Sequence, residues 1–334
     1  KIRLILGLDE ETGWKGIEYY FDKVEAPTFG ITPDADFPVI NGEKGIMFFE
    51  LARKLSKGSS KGLQLSRLSG GEAPNMVPGS ARAVIRSDVK NAYEKIKEKI
   101  AAFREAEGYT VKTKGVGKSL EITCEGVACH GAVPEKGLNA ISILMKLLGE
   151  LNFANEEVNE FIDFYNKHIG FNLDGSRIGI GFSDEKSGRL SLNNGIISYD
   201  RDSISINVNV RYPVSCDSEK VYEGMTPVLD SYGIGVVKMI DLEPLYFNPE
   251  GKLIETLMEV YREETGDTVN GPLVIGGGTY ARACPNIVAF GGLFPGDPDV
   301  MHQKNEKLSI ERFNQMIDIY AKALYRLTQE EFSI

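Results

Sequence analysis

The run Ile2-Arg3-Leu4-Ile5-Leu6-Gly7-Leu8 stops at three acids, Asp9-Glu10-Glu11, followed by Thr12-Gly13. A short aliphatic run of this kind reads as a strand buried on both faces, and ligands of open α/β sheets collect at the carboxyl ends of such strands. The expected fold class is therefore α/β, with the chemistry at this junction. Adjacent acids cannot all ionise there without a cation or a water-filled cleft. A second cluster, Pro33-Asp34-Ala35-Asp36-Phe37-Pro38, closes the next unit. Two acid clusters at neighbouring strand ends suit hard-cation or zinc ligation plus one carboxylate left for acid/base work. The competing reading is solvated loop acids with Thr12 as a helix N-cap.

Only three histidines occur in the chain, so their positions carry weight. His302 lies in the Pro/Gly-rich segment 294–306, which follows a further aliphatic strand, Asn286-Ile287-Val288-Ala289-Phe290-Gly291. That places it at a strand end again, although a histidine after such a loop is more often a surface or capping residue.

Length and charge narrow the function classes. A chain of 334 residues exceeds the roughly 250 to 300 at which single cores stop growing, so two domains are expected. A net charge of −10 argues against nucleic-acid and anionic-membrane partners, both of which need a basic surface. No apolar stretch approaches the roughly 18 residues of a membrane span. The four cysteines, Cys124, Cys129, Cys216 and Cys284, are scattered without Cys-x-x-Cys spacing. They fit reduced thiols and a cytoplasmic location.

Residues 1 to 42 read as strands and turns of a mixed α/β sheet. Then come strands at 46–51 and 80–85, an amphipathic helix over 90–107 with Ala92, Ile96, Ile100 and Phe103 on one face, a strand at 120–124 and a helix over 139–151. After a less regular region the pattern returns with 178–182, 195–199, 203–212, a helix near 218–232, and 235–242. Strand, strand, helix, strand appearing twice predicts an inserted α+β domain of two similar halves. From about Leu245 the α/β texture resumes: helix 253–265, strands 272–275 and 287–291, and helix 309–328. The expected domains are 1–42 with 246–334, and 43–245 inserted between them.

Two local features point to substrate chemistry. In Ser203–Tyr212 the alternation buries Ile204, Ile206, Val208 and Val210 and leaves Asn207, Asn209 and Arg211 on a polar face. A guanidinium at the end of such a face suits a peptide's free carboxylate, or else a surface salt bridge. The run Gly276-Gly277-Gly278-Thr279 has neither phosphate-loop nor dinucleotide-fold spacing. Its backbone amides at Gly278 and Thr279, with Arg282 nearby, can meet a substrate carboxylate or form a plain tight turn.

Six ordered motifs resemble one family. Leu8-Asp9-Glu10-Glu11-Thr12-Gly13, Thr32-Pro33-Asp34-Ala35-Asp36-Phe37-Pro38, Asn41-Gly42-Glu43-Lys44-Gly45, Cys129-His130-Gly131-Ala132-Val133-Pro134, Gly276-Gly277-Gly278-Thr279-Tyr280-Ala281-Arg282 and Met301-His302-Gln303 fall in the order found in dinuclear-metal dipeptidases of the aminoacylase and carnosinase clan, most similar to the bacterial dipeptidase V (Xaa-His dipeptidase) group. The resemblance runs from Leu4 to about Leu324. It implies a zinc-exopeptidase-like catalytic domain with residues 43–245 as a lid, and two divalent metals, zinc or manganese.

Residue by residue, it implies Glu10 as general base, Glu11 as a metal ligand, Asp34 on the other metal, and His302 sharing the metal of Glu11. It implies His130 as oxyanion stabiliser, and Asn75 and Arg211 as substrate contacts. An adjacent Glu pair can send one side chain to a metal and the other to the attacking water. The implied activity is hydrolysis of dipeptides, with N-acyl amino acid deacylation and a non-catalytic binding or scaffold role as the rivals. The partner is then a small peptide substrate.

One departure stands out. The family's remaining ligands come from a His-x-Asp motif and a later bridging Asp, and here the residues two after the histidines are Ala132, Gly170 and Lys304. The expectation is that an N-terminal segment of roughly a hundred or more residues lies outside this sequence, and that this chain alone binds metal weakly and hydrolyses little.

Overall fold

The computed structural model describes residues 1–10, 13–56, 61–301 and 305–329. The chain divides into two compact units, residues 1–44 with 245–334, and residues 45–244.

The first unit holds a mixed five-stranded sheet. Gly30–Thr32 runs parallel to Ile287–Ala289, which meets Ile40–Glu43 in antiparallel register at Ala289 and Ile40. Ile40–Glu43 also pairs with Leu245–Tyr246 antiparallel and with Leu273–Ile275 parallel. The helix Lys252–Thr265 buries Leu253, Ile254, Leu257, Met258, Val260 and Tyr261, the broad stripe expected of a helix laid on a core. Gly266, at φ 71°, ends it by returning its N–H to the Arg262 carbonyl at 2.8 Å. The helix Ile310–Leu327 starts where the Ser309 side chain accepts the Arg312 N–H, and turns Ile319, Ala323 and Leu327 inward.

Phe37 sits at the centre of this core, with ring centroids 4.6 Å from Phe294, 5.2 Å from Phe290 and 5.5 Å from Tyr261. A Cβ on Gly291, which has φ 81°, would fall 2.1 Å from the Phe37 ring, so both backbone and packing require glycine there.

The second unit is built on one antiparallel sheet of eight strands. Its order is Gly235–Leu242, Gly45–Lys54, Ser203–Tyr212, Ser191–Tyr199, Leu63–Gly70, Ser80–Ser87, Ser119–Glu125, Thr110–Val116. Ile204, Ile206, Val208 and Val210 are buried, as are Ile96, Ile100 and Phe103 of the helix Ala92–Glu107. They share one core with the apolar helix Ala140–Leu148 and with Val221, Met225 and Leu229 of Ser218–Ser231. Asn139 caps Ala140–Leu148 by accepting the Ile141 and Ser142 N–H groups.

Several expectations are corrected. Residues 2–8 form no strand: Ile2, Leu4, Leu6 and Leu8 are 63, 82, 80 and 97% exposed. A strand needs a neighbour to take up its N–H and C=O groups, and no described residue pairs with this run. Residues 178–182 are not a strand either. Gly175 and Gly179, at φ 68° and 94°, flank a single 3-10 turn at Ser176–Ile178 instead. The region expected to be less regular holds the helix Glu156–Phe164, whose Asn155 cap accepts from Glu157 and Val158, and this helix runs on into a π turn at Tyr165–Ile169. The polar face of Ser203–Tyr212 is not open to solvent, since Asn209 is 0% and Arg211 5% exposed. All four cysteines are free thiols. Among the described residues, no helix is long and apolar enough to cross a membrane.

Candidate active site

In the first unit, the acidic junction is held by turns. The Asp9 carboxylate accepts the Gly16 N–H with both oxygens at 3.2 Å, and the Asp9 carbonyl accepts from Trp14 N–H at 3.1 Å. Half-buried Glu10 offers its carbonyl to the Trp14 indole N–H at 2.5 Å. Asp34 is exposed between Gly30–Thr32 and Ala35–Asp36. Burial and then the nearby Asp299 charge push the Asp36 carboxyl above its ordinary value. Asp36 borders a cavity of about 250 Å³ with Phe37, Asn270, Leu293 and Asp297. Asp297 is already engaged by a two-pronged contact with Arg312, at 2.8 and 2.9 Å.

Glu11 and His302, two of the three expected metal ligands, lie outside the described residues. Among the described residues, no group of three His, Cys, Asp or Glu side chains is placed to hold a metal. As a donor set, Glu11, Asp34 and His302 supply carboxylate oxygen and imidazole nitrogen, which suit zinc or manganese.

The glycine run leads into a buried polar cluster. The Thr279 hydroxyl donates to Glu43 Oε1 at 2.7 Å, and its N–H donates to Oε2 at 3.3 Å. Arg282 Nε lies 2.6 Å from Glu43 Oε2, and its Nη2 donates to the Lys44 carbonyl. Glu43 is wholly buried. Burial raises its pKa, opposed by Arg282 and by the Thr279 hydrogen bonds. The side chains of Thr279 and Arg282 are thus directed to Glu43, and half-buried Gly278 precedes them. Glu43 was not singled out from the sequence. The available signal was an ionisable residue three positions after Ile40, at the end of the short strand Ile40–Glu43, which a buried strand tolerates only with a partner.

The second unit holds Asn75, His130 and Arg211. Met76–Val77 pairs with Cys129–His130, setting His130 opposite Met76. Gly131 N–H donates to the Asn75 carbonyl at 2.6 Å. The ring of exposed His130 accepts the Ala132 N–H at Nδ1, 3.4 Å away, which in a neutral imidazole assigns the proton to Nε2. Asn193 Nδ2 donates to the carbonyls on either side of exposed Asn75, Pro74 at 3.3 Å and Met76 at 2.9 Å. Arg211 Nε donates to Asn209 Oδ1 at 3.2 Å, and its guanidinium lies 5.8 Å from the Phe48 ring centroid. Asn209 and Asn193 are direct cross-strand partners, and so are Arg211 and Ser191.

The model described as Peptidase family M20/M25/M40 matches residues 1–326. A protein of Staphylococcus haemolyticus named "Putative dipeptidase" is 34% identical over 335 residues, covering 99% of this chain and 70% of its own length. A Staphylococcus aureus protein of the same name is 35% identical over 337 residues, with the same coverage. Among solved structures, an aminoacylhistidine dipeptidase from Vibrio alginolyticus aligns with a TM-score of 0.51 at 16% identity, covering 97% of this chain and 70% of that one, a likeness of fold.

Proposed function

We propose that this chain, which belongs to Peptidase family M20/M25/M40, hydrolyses dipeptides with the help of divalent metal. The observation that carries this reading is the match to relatives named as dipeptidases across 99% of the chain. The reactive groups follow from the chemistry of an amide.

Glu11, Asp34 and His302 would hold the metal, which supplies Lewis acidity toward the scissile carbonyl and lowers the pKa of the attacking water. Glu10 takes the proton of that water and passes it to the leaving amine. His130, with Nδ1 accepting from Ala132, has Nε2 as its donor toward the oxyanion that develops on the carbonyl oxygen. Asn75 holds the substrate backbone. Arg211 clamps the peptide's free carboxylate, which in a dipeptide lies one residue from the scissile carbonyl. The backbone amides of Gly278 and Thr279, with Arg282 nearby, offer further contacts to the substrate's carboxylate, and Glu43 fixes Thr279 and Arg282.

A side-by-side assay of free dipeptides and N-acyl amino acids tests the reading. Turnover of dipeptides well above that of N-acyl amino acids is expected. The reverse order would make the protein a deacylase, and turnover of neither would leave a binding role.

A further inference from the structure

Four polar residues lie side by side on two neighbouring strands of the second unit. Asn193 faces Asn209, and Ser191 faces Arg211, in antiparallel register. Directly opposed residues share one face of a sheet, so these side chains form a single polar patch. The patch is buried: Asn193 is 2%, Asn209 0% and Arg211 5% exposed.

Burying asparagines costs free energy unless each polar atom finds a partner. Here the partners are specific. Asn193 spends its amide on the Pro74 and Met76 carbonyls, and Gly131 N–H takes the Asn75 carbonyl between them. Three successive carbonyls, at residues 74, 75 and 76, are thereby fixed. The Gly131 contact joins that turn to the residue after His130. A Cβ on Gly131 would fall 2.8 Å from the Asn75 carbonyl oxygen and 3.1 Å from Asn193 Nδ2, so the three groups are in close contact. Asn193 Oδ1 has no hydrogen-bond partner among the described residues. Asn209 bridges in the same manner, donating through Nδ2 to the Met47 carbonyl at 3.1 Å and accepting Arg211 Nε with Oδ1.

We infer that the cross-strand pair Asn193 and Asn209 are positioning residues: Asn193 sets Asn75 and His130, and Asn209 sets the Arg211 guanidinium, so that one buried pair fixes the spacing between the oxyanion donor and the carboxylate clamp. This rests on the dipeptidase reading of Asn75, His130 and Arg211. The consequence is discrimination by substrate length. A clamp and an oxyanion donor tied to adjacent strands admit a substrate whose free carboxylate lies at one fixed distance from its scissile carbonyl.

The test is a pair of double-substitution cycles in the full-length protein. Leucine is close to asparagine in shape, so Asn193→Leu and Asn209→Leu remove the polar contacts while keeping the volume. Asn193→Leu is expected to lower kcat/KM for dipeptides by about 10- to 100-fold, chiefly in kcat, as small misplacements of reacting groups do. In a His130→Ala background it should change kcat/KM by less than about threefold, because residues acting as a unit are not additive. Asn209→Leu should reduce the preference for a free carboxylate over a C-terminal amide about as far as Arg211→Ala does, and add little in that background. Equal losses with and without His130 or Arg211 would mark both asparagines as structural and overturn the inference. If His130→Ala and Arg211→Ala alter turnover but the leucine variants do not, the inference falls and the dipeptidase reading stands. If neither of those two variants alters turnover, the dipeptidase reading falls and the inference with it.

Discussion

The Thr279 hydroxyl donates to Glu43 Oε1 across 2.7 Å, while the N–H of the same residue donates to Oε2. One buried carboxylate therefore fixes both the backbone and the side chain at the end of the Gly276–Thr279 run, and Arg282 balances its charge from 2.6 Å. The threonine also serves its own chain, since its Oγ1 accepts the Ala281 N–H at 3.1 Å.

Removing one partner of a buried pair strands the other charge, typically at a cost of about 3–5 kcal/mol. Glu43→Gln and Arg282→Met should each lower stability on that scale in urea denaturation, and the double variant should lose clearly less than the two combined. Additive losses would mean that Glu43 and Arg282 are not energetically coupled.

Glu10→Gln should leave metal content unchanged and lower kcat by at least about 10² to 10⁴, the usual range for one acid/base group. Elemental analysis alongside steady-state kinetics checks both halves. Near-normal turnover would remove Glu10 from the base role, and loss of metal would make it a ligand.

Arg211→Ala should harm dipeptides with a free carboxylate far more than the same dipeptides amidated at the C-terminus. A charge-assisted hydrogen bond of about 1.5–3 kcal/mol sets the scale. Because Arg211 is almost wholly buried, the comparison of the two substrates separates binding from folding. Equal loss on both would make its contacts with Asn209 and Phe48 purely structural.

Hydrogen bonds from Arg326 and Lys322 hold Glu263 at about 2, against an ordinary 4.5. A depressed acid contributes stability that is present above pH 4.5 and lost as pH falls through about 2. Glu263→Gln should therefore shrink the loss of thermal stability over that acid window and change little near neutrality beyond the lost contacts. These side chains are open to solvent, so salt at about 1 M, with a Debye length of roughly 3 Å, should narrow the difference between the two proteins. An unchanged acid profile would show that the contacts do not persist in solution.

Periodicity found the long elements. The alternation in 203–212 gave the strand Ser203–Tyr212 to the residue, and the apolar stripes gave Ala92–Glu107, Lys252–Thr265 and Ile310–Leu327 within two residues. It misread 2–8 because an aliphatic run signals a wish for burial and carries no information about a neighbour to provide it. It separated the face of Asn209 and Arg211 from the apolar one, but alternation does not say whether a polar face meets water. Asn193 escaped notice because its partners, Pro74 and Met76, are 119 and 117 residues away. Glu43 lay inside the motif Asn41–Gly45 but was given no role, since a single acid in a four-residue strand does not say what it pairs with. Most of the proposed site residues came from ordered motifs, and Arg211 also from the alternation of its strand. Their placement, with Thr279 and Arg282 directed at Glu43 and with Asn75 tied to Gly131, required the tertiary contacts.

The most direct test of the central claim is dipeptide hydrolysis by the full-length protein, measured as purified, after exhaustive chelation and dialysis, and after stoichiometric return of zinc or manganese. Turnover is expected to disappear with the metal and to return with it, because the metal would supply Lewis acidity to the carbonyl and water on which Glu10 and His130 are proposed to act. Turnover that survives complete metal removal, confirmed by elemental analysis, would contradict it.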